Sequence, residues 1–77
     1  MTIDLTQMKP KESGVVVELS GGQSFMNRIQ NMGIRPGKKI TKVSSHFLRG
    51  PQTVKIGNLQ IAIGFGMAKK IIVKIEK

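Results

Sequence analysis

The sequence predicts a mostly β protein, a small and partly open barrel of five short strands with one short α-helix inserted after the first strand. Two observations carry this prediction. Five segments place apolar residues at alternate or nearly alternate positions, as strands with one buried face do. Between the first two of these segments, apolar residues recur at helical spacing. Short antiparallel strands must also hide their edges, which favours closure of the sheet with the helix over one end.

The first strand is predicted over residues 13–20, which are bounded by turn residues on the C-terminal side. Its alternating positions are Val15, Val17 and Leu19 against Val16 and Glu18. Upstream, Leu5 and Met8 are predicted to be apolar anchors of a segment that Pro10 turns or extends.

The helix is predicted over residues 24–32, with Ser24 as its N-cap because a serine hydroxyl accepts a backbone N–H of the first turn. A helix of two to three turns is marginal alone, so it is expected to lie on the sheet. The predicted apolar face consists of Phe25, Met26, Ile29 and Met32.

Residues 32–37 are predicted to end the helix and start the next strand. Gly33 suits the left-handed position that follows many helices, and Ile34 is then expected to pack back towards Ile29. Pro36 and Gly37 suit the second and third positions of a type II turn.

Four strands are predicted after this hinge. In the second strand, residues 38–45, Ile40 and Val43 are three apart, so a bulge near residues 41–42 is predicted to bring both to the buried face. Strands at Gln52–Ile56 and Leu59–Ile63 are joined by a two-residue hairpin turn, Gly57-Asn58. Residues 64–69 are predicted to turn through a short 3₁₀ segment, and residues 70–76 form the last strand. Its inward side chains are Ile71, Val73 and Ile75.

The chain is a single domain of 77 residues without cysteine, which excludes disulfides, cysteine zinc sites and thiol chemistry. A domain this small buries only about 60% of the surface of its unfolded chain. No run of about 18 apolar residues is present. The N-terminus also lacks the basic and apolar regions of a signal peptide. These features are compatible with a cytoplasmic protein.

The net charge of +9 arises from thirteen Lys and Arg against four acids. One interpretation is an anionic partner, which could be nucleic acid, an acidic protein face or a lipid headgroup layer. The other is a solvated surface that keeps a small β protein soluble and guards its strand edges. Nucleic acid is disfavoured because only three aromatic residues are available to stack on bases. They are Phe25, Phe47 and Phe65.

The sequence predicts no catalytic residue, no cofactor and no metal site. His46 is the only histidine, and the four acids are far apart in the chain. Gly64-Phe65-Gly66 fails the dinucleotide fingerprint, because Lys69 takes the third glycine position. The remaining candidates for a functional site are surface residues. Phe47 and Leu48, in the loop before the third strand, are either a lid on the barrel or an exposed docking patch.

The succession of motifs resembles the ferrous iron transport protein A (FeoA) family over about residues 5–76. The family has a small SH3-like barrel of five or six strands, shared with the C-terminal domain of metal-dependent repressors of the diphtheria-toxin-repressor type. The sequence departs from the family pattern at Gln52 and Gly64. The residues that carry the resemblance are Gly21-Gly22, Arg28-Ile29, the hinge 32–37, Gly50-Pro51, 54–57, Ile61-Ala62-Ile63, Ala68, Ile71 and Val73.

The resemblance implies a cytoplasmic, non-catalytic accessory protein of bacterial ferrous iron uptake that docks on the FeoB transporter and modulates its GTPase domain. Peripheral contact with an anionic membrane surface is a further implication of the charge. Two alternatives are a small basic nucleic-acid-binding barrel and a GTPase activator that supplies an arginine finger from Arg28, Arg35 or Arg49. The residues predicted to bind the partner are Phe25, Arg28, Met32, Arg35, Phe47, Leu48 and Arg49.

Overall fold

The computed structural model of the protein describes residues 1–45 and 50–76. In these residues the strands are β1 (Thr2–Asp4), β2 (Ser13–Leu19), β3 (Lys39–Ser45), β4 (Gln52–Ile56), β5 (Leu59–Ile63) and β6 (Ile71–Ile75). The helices are α1 (Gln23–Asn31) and α2 (Phe65–Ala68), and a 3₁₀ turn spans Leu5–Gln7. The strands form one antiparallel sheet in the order β1-β6-β2-β3-β4-β5. The predicted mostly β fold with one helix between consecutive strands is confirmed.

The first strand of the sheet was not predicted from the sequence. β1 has only three residues, too few for an apolar alternation to be recognised, and it pairs with β6 so that Ile3 lies opposite Val73. The 3₁₀ turn follows at once, with Asp4 as its cap: the Asp4 carboxylate accepts the Thr6 N–H at 2.8 Å. The predicted anchors Leu5 and Met8 are both buried.

Strands β2 and β3 each contain a register shift that changes which side chains are buried. In β2 the shift falls between Val16 and Glu18, and Val17 is turned outward with 43% of its surface exposed. In β3 the shift falls between Lys42 and Ser44, beyond the predicted position. The predicted burial of Val43 is therefore wrong: Lys42 continues the alternation that begins at Ile40 and is buried, whereas Val43 has 38% of its surface exposed.

Helix α1 begins one residue earlier than predicted. Gly22 is the N-cap, and its carbonyl accepts the Met26 N–H at 2.9 Å. Ser24 therefore lies inside the first turn and makes no capping hydrogen bond, so the predicted cap is wrong. The predicted apolar face is confirmed: Ile29 is buried, while Phe25, Met26 and Met32 are half-buried against the core.

The hinge after α1 is confirmed in detail. Gly33 has φ of 91°, and its N–H donates to the Gln30 carbonyl at 3.0 Å. The Ile34 N–H donates to the Ile29 carbonyl at 3.2 Å, which completes the pair of bonds typical of a glycine-ended helix. Ile29 and Ile34 are both fully buried. In the following turn the Lys38 N–H donates to the Arg35 carbonyl at 3.0 Å, and Gly37 has φ of 95°, as a type II turn requires.

The hinge yields a stability prediction. Gly33→Val is expected to lower the free energy of unfolding by about 2 kcal/mol, because a β-branched side chain is strained at positive φ. No atom lies within 4 Å of the position of an added Cβ, so the loss of stability would arise from backbone strain and not from a steric collision. Urea unfolding followed by circular dichroism measures the change. Gly33→Asn, which tolerates positive φ, should lose clearly less, and equal losses for Val and Asn would contradict the assignment.

The C-terminal half follows the predicted order with one correction. The Gly57-Asn58 turn joins β4 to β5, and Gly57 has positive φ of 60°. Residues 65–68 form the short α-helix α2 and not a 3₁₀ turn, since the Ala68 N–H reaches the Gly64 carbonyl four residues back at 2.9 Å. The inward side chains predicted for β6 are confirmed as buried. No helix in the described ranges is long and apolar enough to cross a membrane.

Candidate docking surface

The structure describes four of the seven residues predicted to bind a partner. Arg28 and Arg35 are exposed on α1 and on the turn that follows it. Phe25 and Met32 are half-buried and pack against the core, so part of each side chain serves stability. Phe47, Leu48 and Arg49, like His46, lie outside the described residues.

Phe25 is joined to a part of the chain that is remote in sequence. The Lys70 ammonium lies 5.4 Å from the centroid of the Phe25 ring. The two residues meet because the Ser20 N–H, just before α1, donates to the Lys70 carbonyl at 2.8 Å. Arg28 follows Phe25 by three residues, so it lies on the same side of α1 one turn further on.

A second cation–aromatic pair involves the lysine that precedes Lys70 in the chain. The Lys69 ammonium is 5.9 Å from the centroid of the Phe65 ring in α2, and Lys69 directly precedes Lys70. Each such pair is worth roughly 0.5–1 kcal/mol at an exposed site. The basic–aromatic surface is defined here as Phe25, Arg28, Phe65, Lys69 and Lys70.

Three residues of the basic–aromatic surface were missed by the sequence analysis: Phe65, Lys69 and Lys70. The tertiary pairing of β2 with β6 brings Lys70 to Phe25, and Phe65 and Lys69 precede Lys70 in the chain. The available indication in the sequence was local, a Phe four residues before a Lys in a glycine-rich segment that could form one helical turn.

The basic–aromatic surface is cationic without internal compensation. No Asp or Glu occurs in the sequence between Glu18 and Glu76. Among the described residues the only ion pair joins Lys39 to Glu76 at 3.5 Å, on exposed side chains. The positive charges of Arg28, Lys69 and Lys70 are therefore available to an anionic partner.

Lys42 is the one basic side chain of the described residues that is buried, with 1% of its surface exposed. Its ammonium donates to the Leu5 carbonyl at 2.9 Å and to the Met8 carbonyl at 3.0 Å. Burial lowers the pKa of Lys42, and the nearby charges of Asp4 and Glu12 act in the opposite direction. Lys42 thus fastens the N-terminal segment to β3 and has no access to a partner.

The described residues offer little to a small ligand. They contain no group of three or more His, Cys, Asp or Glu side chains that could hold a metal ion, and they enclose no pocket. The amide of Gln52 is buried, its nitrogen donates to the Gly50 carbonyl at 3.0 Å, and its oxygen has no partner in the described part of the chain. One lone amide oxygen is not a ligand set.

Comparison with known proteins gives a consistent result. The family model described as the FeoA domain matches residues 3–75. A relative from Methanocaldococcus jannaschii that carries the name Fe(2+) transport protein A is 33% identical over 66 residues, which cover 86% of this chain and 78% of the relative.

Two solved structures show the same fold. The crystal structure of an iron uptake regulatory protein, FeoA, is 32% identical, matches with a TM-score of 0.90 and covers 99% of each chain. A manganese-dependent transcriptional repressor matches with a TM-score of 0.89 at 17% identity over 42% of its own chain, a likeness that shows the fold alone. The predicted small SH3-like fold, shared with the repressor domain, is confirmed.

Proposed function

Because the chain belongs to the FeoA family, which is associated with ferrous iron transport, we propose that it is a non-catalytic accessory protein in the cytoplasm. In this proposal it docks on the cytosolic domains of a FeoB-type transporter and modulates the GTPase cycle of that transporter. The family was predicted from the sequence motifs, and that prediction is confirmed.

The basic–aromatic surface is the observation that supports docking most directly. Arginine and aromatic side chains are enriched among the residues that dominate binding energy in protein interfaces. Phe25 is held in place by its packing on the core, so little conformational entropy is lost when a partner covers it. The positive charges around the rings would steer an acidic partner face towards them.

The other predicted contact residues extend the proposed surface. Arg35 is exposed on the hinge that follows α1, and the half-buried Met32 precedes it at the end of the helix. We include them as the edge of the docking surface. Phe47, Leu48 and Arg49 stay part of the proposal on the strength of the sequence.

Charge reversal tests the proposed docking. The double variant Arg28→Glu, Lys70→Glu is expected to bind the transporter's cytosolic domains at least ~10-fold more weakly, which corresponds to about 1.4 kcal/mol. Isothermal titration calorimetry measures the affinity. The variant Lys9→Glu, Lys74→Glu is the matched control, since it changes the net charge equally at exposed positions away from the surface.

Two results would contradict the proposal. One is the absence of heat for the wild-type protein at concentrations of about 100 μM, where even weak transient contacts register. The other is an equal loss in both double variants, which would indicate attraction by net charge alone. The GTPase rate of the same domains, measured with and without the protein, then reports whether docking modulates the cycle.

A further inference from the structure

The sheet ends at an open edge on β5. β1, the strand at the other end of the sheet, is three residues long and bends directly into the 3₁₀ turn. β5 has five residues and pairs along its whole length with β4 on one side only, from Ile56 opposite Leu59 to Gln52 opposite Ile63. The outer side of β5 is thus the longer free edge in the described residues.

The hairpin geometry determines which backbone groups of β5 point away from the sheet. Ile56 and Leu59 flank the two-residue turn and form its closing hydrogen-bonded pair. Hydrogen-bonded and non-hydrogen-bonded pairs alternate along antiparallel strands, so Gln60 and Ala62 direct their N–H and C=O groups outward. In the described part of the chain no backbone group lies on the far side of β5 to pair with them.

The side chains of β5 extend the apolar core to this edge. Ile63 is buried, Ile61 is half-buried, and Leu59 has 59% of its surface exposed. Free edges are commonly protected by lysine, proline or a bulge, and the sequence Leu-Gln-Ile-Ala-Ile has none of these. The edge therefore offers both unpaired backbone groups and an apolar strip to an incoming strand.

The charge of strands β3, β4 and β5 indicates which kind of segment can bind at the free edge. Strands β3, β4 and β5 contain no carboxylate, since Glu18 and Glu76 are consecutive acids in the sequence. Lys55 is exposed and lies opposite Gln60, within reach of a strand added beside it. A second copy of the chain, with the same +9 charge and an uncharged β5, would be repelled. A segment with carboxylates complements this side of the sheet.

We propose that the free edge of β5 binds an extended acidic segment by strand addition. Apolar side chains of that segment lie beside Leu59 and Ile61, and its carboxylates alternate with them on the side of Lys55. This inference rests on the proposed function as a binding module, because it specifies the form of one partner segment. It concerns the free edge of β5, whereas the basic–aromatic surface consists of residues of α1, α2 and the segment that follows α2.

The test uses the full chain and a blocked heptapeptide of alternating glutamate and valine. In a titration followed by ¹⁵N NMR, the largest shift changes are expected at the amides of Gln60 and Ala62, and hydrogen exchange of these two amides should slow at least ~10-fold at saturation. The control peptide, alternating lysine and valine, should bind at least ~10-fold more weakly at low salt.

Substitutions at Ala62 and Lys55 test whether the peptide binds at this edge. Ala62→Pro removes the outward N–H without removing a bond to β4, and should abolish peptide binding, whereas Ala62→Ser should leave it unchanged. Should Ala62→Pro fail to fold, Lys55→Gln provides the second test, with an expected loss of affinity of at least ~3-fold for the acidic peptide.

Three results would overturn the inference: no binding of the acidic peptide at millimolar concentration, equal binding of both peptides, or shift changes centred on α1. A dimer in analytical ultracentrifugation that Ala62→Pro disperses would also overturn it, because a second copy would then occupy the edge. If the acidic peptide does not bind at β5 but the transporter's cytosolic domains bind through Arg28 and Lys70, this inference is refuted and the proposed function stands. If the peptide binds at β5 but the cytosolic domains do not bind, only the proposed docking is refuted.

Discussion

Gly14→Ala is expected to lower the free energy of unfolding by about 3 kcal/mol, since overpacking at a site that cannot relax costs this much. Gly14 is buried in β2, where it lies opposite Ile75 of β6 and Ile40 of β3. An added Cβ would collide with a methyl group of Val73 and lie 2.6 Å from the carbonyl oxygen of Lys74. The second atom belongs to the backbone, so the collision can be relieved only by moving β6 away from β2.

Chemical denaturation measures the effect of Gly14→Ala. Gly66→Ala is the matched control, because Gly66 lies in α2 with no atom within 4 Å of an added Cβ. This control should be neutral or stabilise by up to about 1 kcal/mol, as alanine favours helix over glycine. A domain of this size has a total free energy of unfolding of about 4–12 kcal/mol, so the loss in Gly14→Ala should clearly lower the denaturant concentration at the unfolding midpoint. A Gly14→Ala protein as stable as the wild type would contradict the close approach of the two strands.

Lys42→Met is expected to lower the free energy of unfolding by about 2 kcal/mol at neutral pH. Methionine keeps most of the apolar stem but leaves the buried Met8 carbonyl without its donor, while the Leu5 carbonyl keeps only the Met8 N–H at 3.3 Å. Each buried acceptor left unpaired costs about 1–3 kcal/mol. Removing an ammonium that is expensive to bury offsets part of the loss. Lys55→Met, at an exposed lysine on the adjacent strand, should change stability by less than about 0.5 kcal/mol.

The pH dependence of the Lys42→Met difference follows from the lowered pKa of Lys42. Between that pKa and the ordinary value of 10.5, the unfolded chain holds a proton that the folded protein has released. Stability then rises with pH, because the unfolded state binds more protons. The wild-type advantage over Lys42→Met should therefore be constant at lower pH and grow as the pH approaches 10.5. A decrease of the advantage over this window would show that the folded protein favours the charged amine.

The local parts of the fold were predictable from the sequence. The hinge after α1 depends on residues that are neighbours in the chain, so Gly33, Ile34 and the Pro36-Gly37 turn could be assigned from their chemistry alone. The hairpin at Gly57 was predictable for the same reason. The N-cap was misplaced because Gly22 has no side chain that could cap the helix, whereas Ser24, two residues later, is of a residue type that commonly caps helices.

The parts that depend on distant residues were not predictable. Burial of Lys42 requires carbonyls more than thirty residues earlier in the chain, and lysine is rarely buried, so the buried face was assigned to Ile40 and Val43. The basic–aromatic surface depends on Lys70 reaching Phe25 across 45 positions of sequence. Only its α1 half, Phe25 and Arg28, could be proposed before the sheet order was known.

The strand order has a consequence for how the chain acquires its structure. β3, β4 and β5 are neighbours both in sequence and in the sheet, whereas β6 must join β1 and β2, so that Thr2 meets Lys74 and Val16 meets Val73. Pairing across such separations is slow, because loop-closure entropy is lost before the contacts form. We expect the β3-β4-β5 meander to form early and the two chain ends to close late. During synthesis the edge of β2 that pairs with β6 would then stay open until the C-terminal strand has emerged, which makes this edge a place where aggregation could compete with folding.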